Sequence, residues 1–515
     1  MKNYLILIFL FLSFASCHQS GVVTYSAPAQ EKKSGDFEMS VNNKPVFVYE
    51  ARVSKFPINQ VWPGYQRPVN QTEIASFAYF DMDGEVEIRI NSTREIKTLD
   101  IRPTEYAIKP TIEGRVITIK ISKPMQFTVE VNGYHNAMHI FANPVEKIKI
   151  NKADPKVHYF GPGVHEAGII NVKSDETVFI DGGAVVYGTI NSENATNVKI
   201  FGRGILDASK IARGEAPHMV NLKKVVNASV TGIILRDPHF WALTTTSCDS
   251  VTIDNIKMIG LWRYNSDGID IVNCKNVIIR NSFIRAYDDN IVIRGTKGPY
   301  KEGFNIIENI AVDSCVLWND WGRALEIGAS TVADTIKNIS FSNCYIPHFT
   351  SVAMDIQNCD RGTVKNIRFE DISIEGQISD SLTLGTLPIF TKAWGKIIVL
   401  GIYGSFYSSD TTRGQIDHIY FNDIRLQSVN PTGIYHTEYD STLIKKDENY
   451  FIRDNIYFGN IKANSTSPTS VYLFGSDSAH TVNNIFITGF SHNGLKVTDL
   501  QSVGRNEFVK DVFLK

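Results

Sequence analysis

The sequence predicts an all-β chain, with an N-terminal β-sandwich followed by a right-handed parallel β-helix. Three observations carry this. Short runs with period-2 alternation and turn residues between them fill the stretch from Phe37 to Lys152. Beyond it one strand-turn cassette recurs to the C-terminus, the mark of a solenoid. No run with helical periodicity competes with either pattern, which excludes the helical repeats.

The elements follow in chain order. Met1 and Lys2 precede an apolar run from Tyr4 to Ala15, too short to span a bilayer and built like a secretory leader. The run ends in Phe14-Ala15-Ser16-Cys17, which resembles a bacterial lipoprotein box with Phe14 where Leu is usual. Residues 1–17 are therefore read as a lipoprotein signal, with Cys17 as the lipidated residue. The expectation is an exported chain tethered by lipid to a bacterial outer membrane. Residues 18–36 are small and polar and read as a flexible linker. Residues 37–152 carry EVEIRI, RVITIKIS and QFTVEVN, the strands of an antiparallel sandwich.

Residues 153–515 hold the repeats. The cassette is VFIDGGAVV at Val178, VKIFGRGIL at Val198, VTIDNIKM at Val251 and VIIRNSFI at Val277. It continues as IAVDSCVL at Ile310, ISFSNCYI at Ile339, IRFEDISI at Ile367 and IYFNDIRL at Ile419, with weaker copies at Ile456 and Ile485. The wide step from Ile367 to Ile419 predicts an inserted loop from Gly376 to Gln415. The recurring Asn, Asp or Ser marks a bend that needs left-handed geometry or side-chain bonding to the backbone. Successive coils then stack about 4.8 Å apart, and outward residues form columns on a parallel sheet.

Composition narrows the function. The 515 residues carry 52 Lys+Arg against 54 Asp+Glu, a formal charge of −2. Such a chain lacks the basic surface that nucleic-acid binding requires. Besides Cys17 there are Cys248, Cys274, Cys315, Cys344 and Cys359, an odd number with no CxxC pair. Neither a zinc site nor a disulfide framework is indicated, and the reading is thiols stacked coil on coil in the core.

One region departs from the cassette style. It reads WRYNSDGIDIVN from Trp262, RAYDDNIVIRG from Arg285, DWGRALEIGAS from Asp320 and SVAMDIQN from Ser351. Aligning the inward apolar residues stacks Ile269, Ile291, Leu325 and Met354, and likewise Ile271, Ile293, Ile327 and Ile356. Asp267 then sits beside Asp289 on the next coil, with Asp288 next to both. Crowded carboxylates raise at least one pKa. Hydrolysis of a glycosidic bond uses such a set, one carboxylic acid for the leaving oxygen and a carboxylate for the water. The other reading of these aspartates is turn residues that cap the backbone.

NSDGIDI followed by DDNIVIRG is similar to the NTDG and DD motifs of the polygalacturonases and their relatives in glycoside hydrolase family 28. DPHFWALTTTSC, from Asp237, looks like that family's SPxW segment. The resemblance implies the pectin-lyase-like solenoid and an inverting hydrolase without a cofactor. By the same resemblance Asp288 is the general acid, and Asp267 and Asp289 hold and activate the water. Two departures matter. The family's GHG motif stands here as Gly322-Arg323-Ala324, and its cationic RIK motif as Asp355-Ile356-Gln357. A pocket that holds a uronate carboxylate with cations has become acidic or neutral. The sandwich feeding FGPGVHEAG and a β-helix also looks like the dextranases and isopullulanase of glycoside hydrolase family 49, inverting enzymes that cleave α-glucans.

The expected substrate is thus an α-linked poly- or oligosaccharide with a neutral sugar at the cleavage point. The column Asp270, Glu326, Asp355, together with Gln357, is expected to bind its hydroxyls. Trp241, Trp321 and Tyr264 are expected to stack on its rings. Arg323 either bonds substrate or neutralises the aspartates. Arg263 and Arg294 also lie near the cleft. Three alternatives stay open: a pectic hydrolase of the galacturonan or rhamnogalacturonan kind, a β-helix lyase, and a glycan-binding lipoprotein without turnover.

Overall fold

The computed structural model describes residues 21–515 except 56–61, 297–304, 377–395, 406, 409, 428–432, 439–450, 453–455, 465–470, 476 and 500–502. The signal segment and Cys17 lie outside the described residues, as does most of the expected inserted loop. Among the described residues no helix is long and apolar enough to cross a membrane.

The architecture is all-β. Two small sheets, of six and five strands, face each other in the N-terminal part. Their inward residues, among them Phe37, Ile88, Ile90, Phe80, Phe127 and Ile140, close one apolar core. The pairing is mostly antiparallel, as the alternation predicts. One pair differs: Met138–Pro144 runs parallel to Thr72–Asp83. Alternation fixes which face a strand buries but leaves its direction open.

Residues 21–36 do not run free, contrary to the linker expected there. Gly21–Val23 pairs with the end of the long strand Thr72–Asp83. The Tyr25 hydroxyl donates to Asp81 Oδ2 at 3.0 Å, and its ring stacks on Tyr79 at 5.4 Å. Glu31 takes both Nη atoms of Arg236, at 2.6 and 2.9 Å. The polar letters that read as a solvated tether are partners for charges buried elsewhere in the chain.

Between Val157 and Leu514 thirty-five strands among the described residues form a right-handed β-helix, almost wholly parallel. Its Ile, Val, Leu and Phe side chains fill the bore. The cassette's turn residues sit in the left-handed region: Asn255, Asn281, Ser314, Asn343, Asp371, Asp423 and Asn460 all have φ between 52° and 56°. A second bend is tied coil to coil by asparagine side chains, with Asn309 bonding Asn276 and Asn366 bonding Asn338. The five cysteines described are buried and unpaired. Cys248 and Cys274 touch across adjacent coils, its backbone N–H donating to the neighbouring Sγ at 3.2 Å.

The sandwich lies against one flank of the solenoid. Tyr49, Val53, Phe77 and Phe141 meet the outward residues Val185, Ile205, Ile234, Phe283 and Val316 of successive coils. Ion pairs thread this seam, including Arg203 with Asp81 at 2.9 Å and Arg102 with Glu375 at 2.9 Å.

Candidate active site

The site is built on one sheet of the solenoid. Leu243–Thr246, Ile269–Val272, Ile291–Gly295, Arg323–Thr331, Val352–Asn358 and Lys396–Ile402 stack in that order. The register is the one the apolar alignment predicts. Ile269 pairs with Ile291, Ile291 with Leu325 and Leu325 with Met354, and Ile271, Ile293, Ile327 and Ile356 follow two residues on. The acidic column is also in register, running Asp270, Val292, Glu326, Asp355.

Just before these strands the chain turns, and the turns carry the aspartates. Asn290 fixes one turn: its amide donates to the carbonyls of Ile284 and Trp318 at 2.9 and 3.0 Å. The Asn319 amide donates to the carbonyl of Asp288 at 2.7 Å. Gly322 presses directly on this turn. A Cβ there would stand 2.5 Å from the Asp288 carbonyl carbon and 2.6 Å from Asp289 N.

Arg294 joins the aspartates. Its Nη2 donates to Asp267 Oδ2 and to Asp289 Oδ2, each at 3.0 Å. Its Nε stands 3.1 Å from Asp270 Oδ1, an ion pair without hydrogen-bond alignment. Asp289 also accepts the backbone N–H of Arg323 at 2.9 Å. Arg323 Nε reaches Asp355 Oδ2 at 3.3 Å. The Gln357 amide donates to Glu326 Oε1 and Asp355 Oδ2 at 2.8 and 2.9 Å, and Tyr403 donates to Gln357.

Carboxylates outnumber guanidinium groups here, and burial shifts their protonation. Loss of water, followed by the neighbouring Asp289 charge, pushes Asp288 up to about 7. Burial raises Asp270 to about 8 and Asp355 to about 6, against the pull of Arg294 and Arg323 respectively. Asp267 and Glu326 are raised well above the usual carboxylate range by burial and by their acidic neighbours. These groups are close enough to titrate as a set.

A cavity of about 380 Å3 opens over the set. Asp267, Asp288, Asp289, Arg323, Glu326 and Trp241, all singled out in the sequence, line it. Trp241 is held by ring stacking on Phe240 and His218, at 5.3 and 5.1 Å. Others of the expected residues stand back from the wall. Asp270 and Asp355 are buried against Arg294 and Arg323, and Gln357 is buried among Glu326, Asp355 and Tyr403. Tyr264 is stacked on Tyr65 at 5.4 Å, and Trp321 is half-buried away from the cavity. Arg294, Phe240 and Ala329 line it as well, and so do Asn265, Thr296, Ser330 and Tyr407, which the sequence reading does not single out. Nothing in their local sequence marks them, although Tyr407 falls in the stretch read as an insertion. Among the described residues there is no group of His, Cys, Asp and Glu arranged to hold a metal.

Comparison with known proteins bears on this chemistry. Residues 167–382 match the family model described as Glycosyl hydrolases family 28. The matched span contains the aspartate cluster, and it supports a glycosidase. A dextranase of Arthrobacter sp. strain CB-8 is 20% identical over 296 residues, 48% of this chain and 44% of that protein. The chain thus spans less than half the length of this curated relative. An Aspergillus niger protein named as a galacturan 1,4-alpha-galacturonidase A is 22% identical over 144 residues, 22% of this chain and 33% of its own length. The solved structure of Dex49A from Penicillium minioluteum superposes with a TM-score of 0.61 at 14% identity, covering 96% of each chain. That last likeness spans both the sandwich and the solenoid and is one of fold.

Proposed function

We propose that this protein is a glycoside hydrolase that cleaves an α-linked glycan with inversion at the anomeric carbon. The observation that carries the reading is the trio at the cavity floor. Asp267 and Asp289 share one guanidinium nitrogen, and Asp288 faces the cavity with its pKa raised to about 7. A carboxylic acid that keeps its proton near neutral pH can protonate the leaving oxygen, while the Arg294-linked pair holds water between its members and an ionised member of the pair activates it. Asp288 is the acid in this assignment, and Asp267 and Asp289 are the water-side pair. Trp241 offers a ring to the sugar beside them.

For the substrate, the family match and the galacturonan-named relative favour a pectic chain over a neutral glucan. The dextranase relative favours the neutral glucan. The site itself bears on the sugar next to the bond: Arg294 and Arg323 are both taken by carboxylates, which disfavours a uronate there. A pectic chain of the rhamnogalacturonan kind, presenting a neutral sugar at that point, accommodates both. Export and lipid attachment at Cys17 belong to the same proposal and rest on the N-terminal sequence alone.

The test is release of reducing ends from a panel of pectins, pectic side chains and α-glucans. Turnover on at least one member is expected, with Asp288→Asn losing about a thousandfold or more in kcat while still binding. Binding without turnover across the panel would leave a glycan-binding protein instead. A product that retains the anomeric configuration would remove the inverting assignment.

A further inference from the structure

We infer a second carbohydrate-binding site, an acidic-sugar pocket beside the candidate active site and formed jointly by the sandwich and the solenoid. It deepens the reading above and rests on it for the identity of the chain as a glycan binder. A cavity of about 230 Å3 lies between Tyr65 of the N-terminal part and Ser209, Arg213, His239 and Arg263 of the solenoid. That is smaller than the pockets of about 300–1,000 Å3 that enclose whole small molecules, and suits one unit of a longer chain.

Arg213 is the cation at the core of this pocket. It has no carboxylate partner among the described residues, unlike Arg294 and Arg323 in the cleft next door. Its guanidinium lies 4.0 Å from the ring centre of Phe240 and 4.6 Å from that of Tyr65. Two donors are spent, on the Tyr264 carbonyl at 2.7 Å and Asn265 Oδ1 at 3.0 Å. A guanidinium carries five N–H donors, so three remain for a ligand. Rings on its face and fixed acceptors at one edge hold the fork in place, ready for a planar carboxylate. Arg263 also lines the pocket, but its charge is met by Asp237 at 2.9 Å, so Arg213 supplies the cation.

His239 argues for a sugar rather than a bare anion. Its Nε2 faces the Ala216 carbonyl at 3.2 Å, which places the ring proton on Nε2. Nδ1 is then an acceptor, and it is buried with no hydrogen-bond partner among the described residues. An acceptor beside cationic donors repels nothing in an uronic acid, which has hydroxyls to donate, whereas a fully ionised phosphate or sulfate has none.

The place in the fold links this pocket to the chemistry. Phe240 and Asn265, which Arg213 touches, line the active-site cavity as well. Arg263 and Asp267 lie on the same turn. A glycan crossing that shared wall puts one sugar over Asp288 and another against Arg213. Arg213 thus reaches the turn that carries Asp267 through Tyr264 and Asn265.

The experiment is calorimetric titration of an oligogalacturonate and of its methyl ester into the full-length Asp288→Asn protein. The acid is expected to bind about tenfold more tightly than the ester, the worth of one charge-assisted fork. Arg213→Gln should erase that preference and leave ester binding unchanged. Ser209→Asp, an exposed change at the pocket rim, should weaken the acid alone. No binding of either form, equal binding of both, or a preference that survives both substitutions overturns the inference. Because binding is read without turnover, failure here is separate from failure of the hydrolase reading, which the activity panel decides.

Discussion

At the residue scale the carboxylates are under opposing demands, and pH exposes them. Asp270 is fully buried, and loss of water lifts it to about 8 despite Arg294. In the unfolded chain the same group gives up its proton near 3.9. The folded protein therefore holds a proton that the unfolded chain releases, so stability is fully present below about pH 4 and is lost as pH rises through about 8. Thermal melting is expected to fall between pH 5 and pH 9, and Asp270→Asn is expected to flatten that decline. An identical slope in the two proteins would show that the raised group lies elsewhere. Asp288 sets a second limb: turnover should fall as pH rises through about 7, because the acid then loses its proton.

At the scale of the element, the position of the aspartates depends on how coils pack rather than on any one strand. Gly322 packs directly against the Asp288-Asp289 turn, with no room for a Cβ between them. Gly322→Ala must push that turn outward. A shift of about 1 Å at reacting groups costs on the order of a hundredfold in rate, and this is the drop expected in kcat. Melting should change by only a few degrees, since the apolar bore is untouched. A variant with normal kcat would mean the turn can yield without moving the carboxylates. The same coil packing explains what the sequence revealed. Inward apolar residues repeat once per coil, so aligning Ile269, Ile291, Leu325 and Met354 gave the register and with it the Asp267–Asp289 neighbours. Bend residues were legible because Asn255, Asn281 and Asn343 need left-handed geometry. Depth was not legible. Asp270 and Asp355 project outward in register, yet they are buried in pairs with Arg294 and Arg323, and Gln357 is buried among Glu326, Asp355 and Tyr403. Where a long side chain comes to rest depends on the charges around it, not on strand periodicity. Tyr407 reaches the cavity from an insertion that has no repeat to align.

At the scale of the whole molecule the sandwich and the solenoid are expected to unfold as one unit, because buried charges are divided between them. Arg236 belongs to the solenoid and is about 8% exposed. It pairs with Glu31 from the N-terminal segment and with Asp207 from the neighbouring coil. Tyr79 of the sandwich adds a bond to the backbone of Gly183 at 3.1 Å. The turn bearing Asp288 also leans on this seam. The Arg67 guanidinium lies 4.9 Å from the ring centre of Tyr287, the residue before Asp288, and Trp62 packs on the same ring at 5.9 Å. Arg236→Met keeps the bulk of the side chain and removes its charge, leaving Glu31 and Asp207 buried without their cation. Breaking a buried pair in this way costs about 3–5 kcal/mol. Denaturant unfolding should record that loss in a single transition, since the seam joins both parts. Glu31→Gln should cost less, because Asp207 still neutralises the arginine. A loss of under about 1 kcal/mol for Arg236→Met, the range of exposed pairs, would show that the N-terminal segment is held by its strand and ring contacts alone. Two separate transitions in the wild-type protein would show that sandwich and solenoid fold independently, and that the turn bearing Asp288 does not need the sandwich behind it.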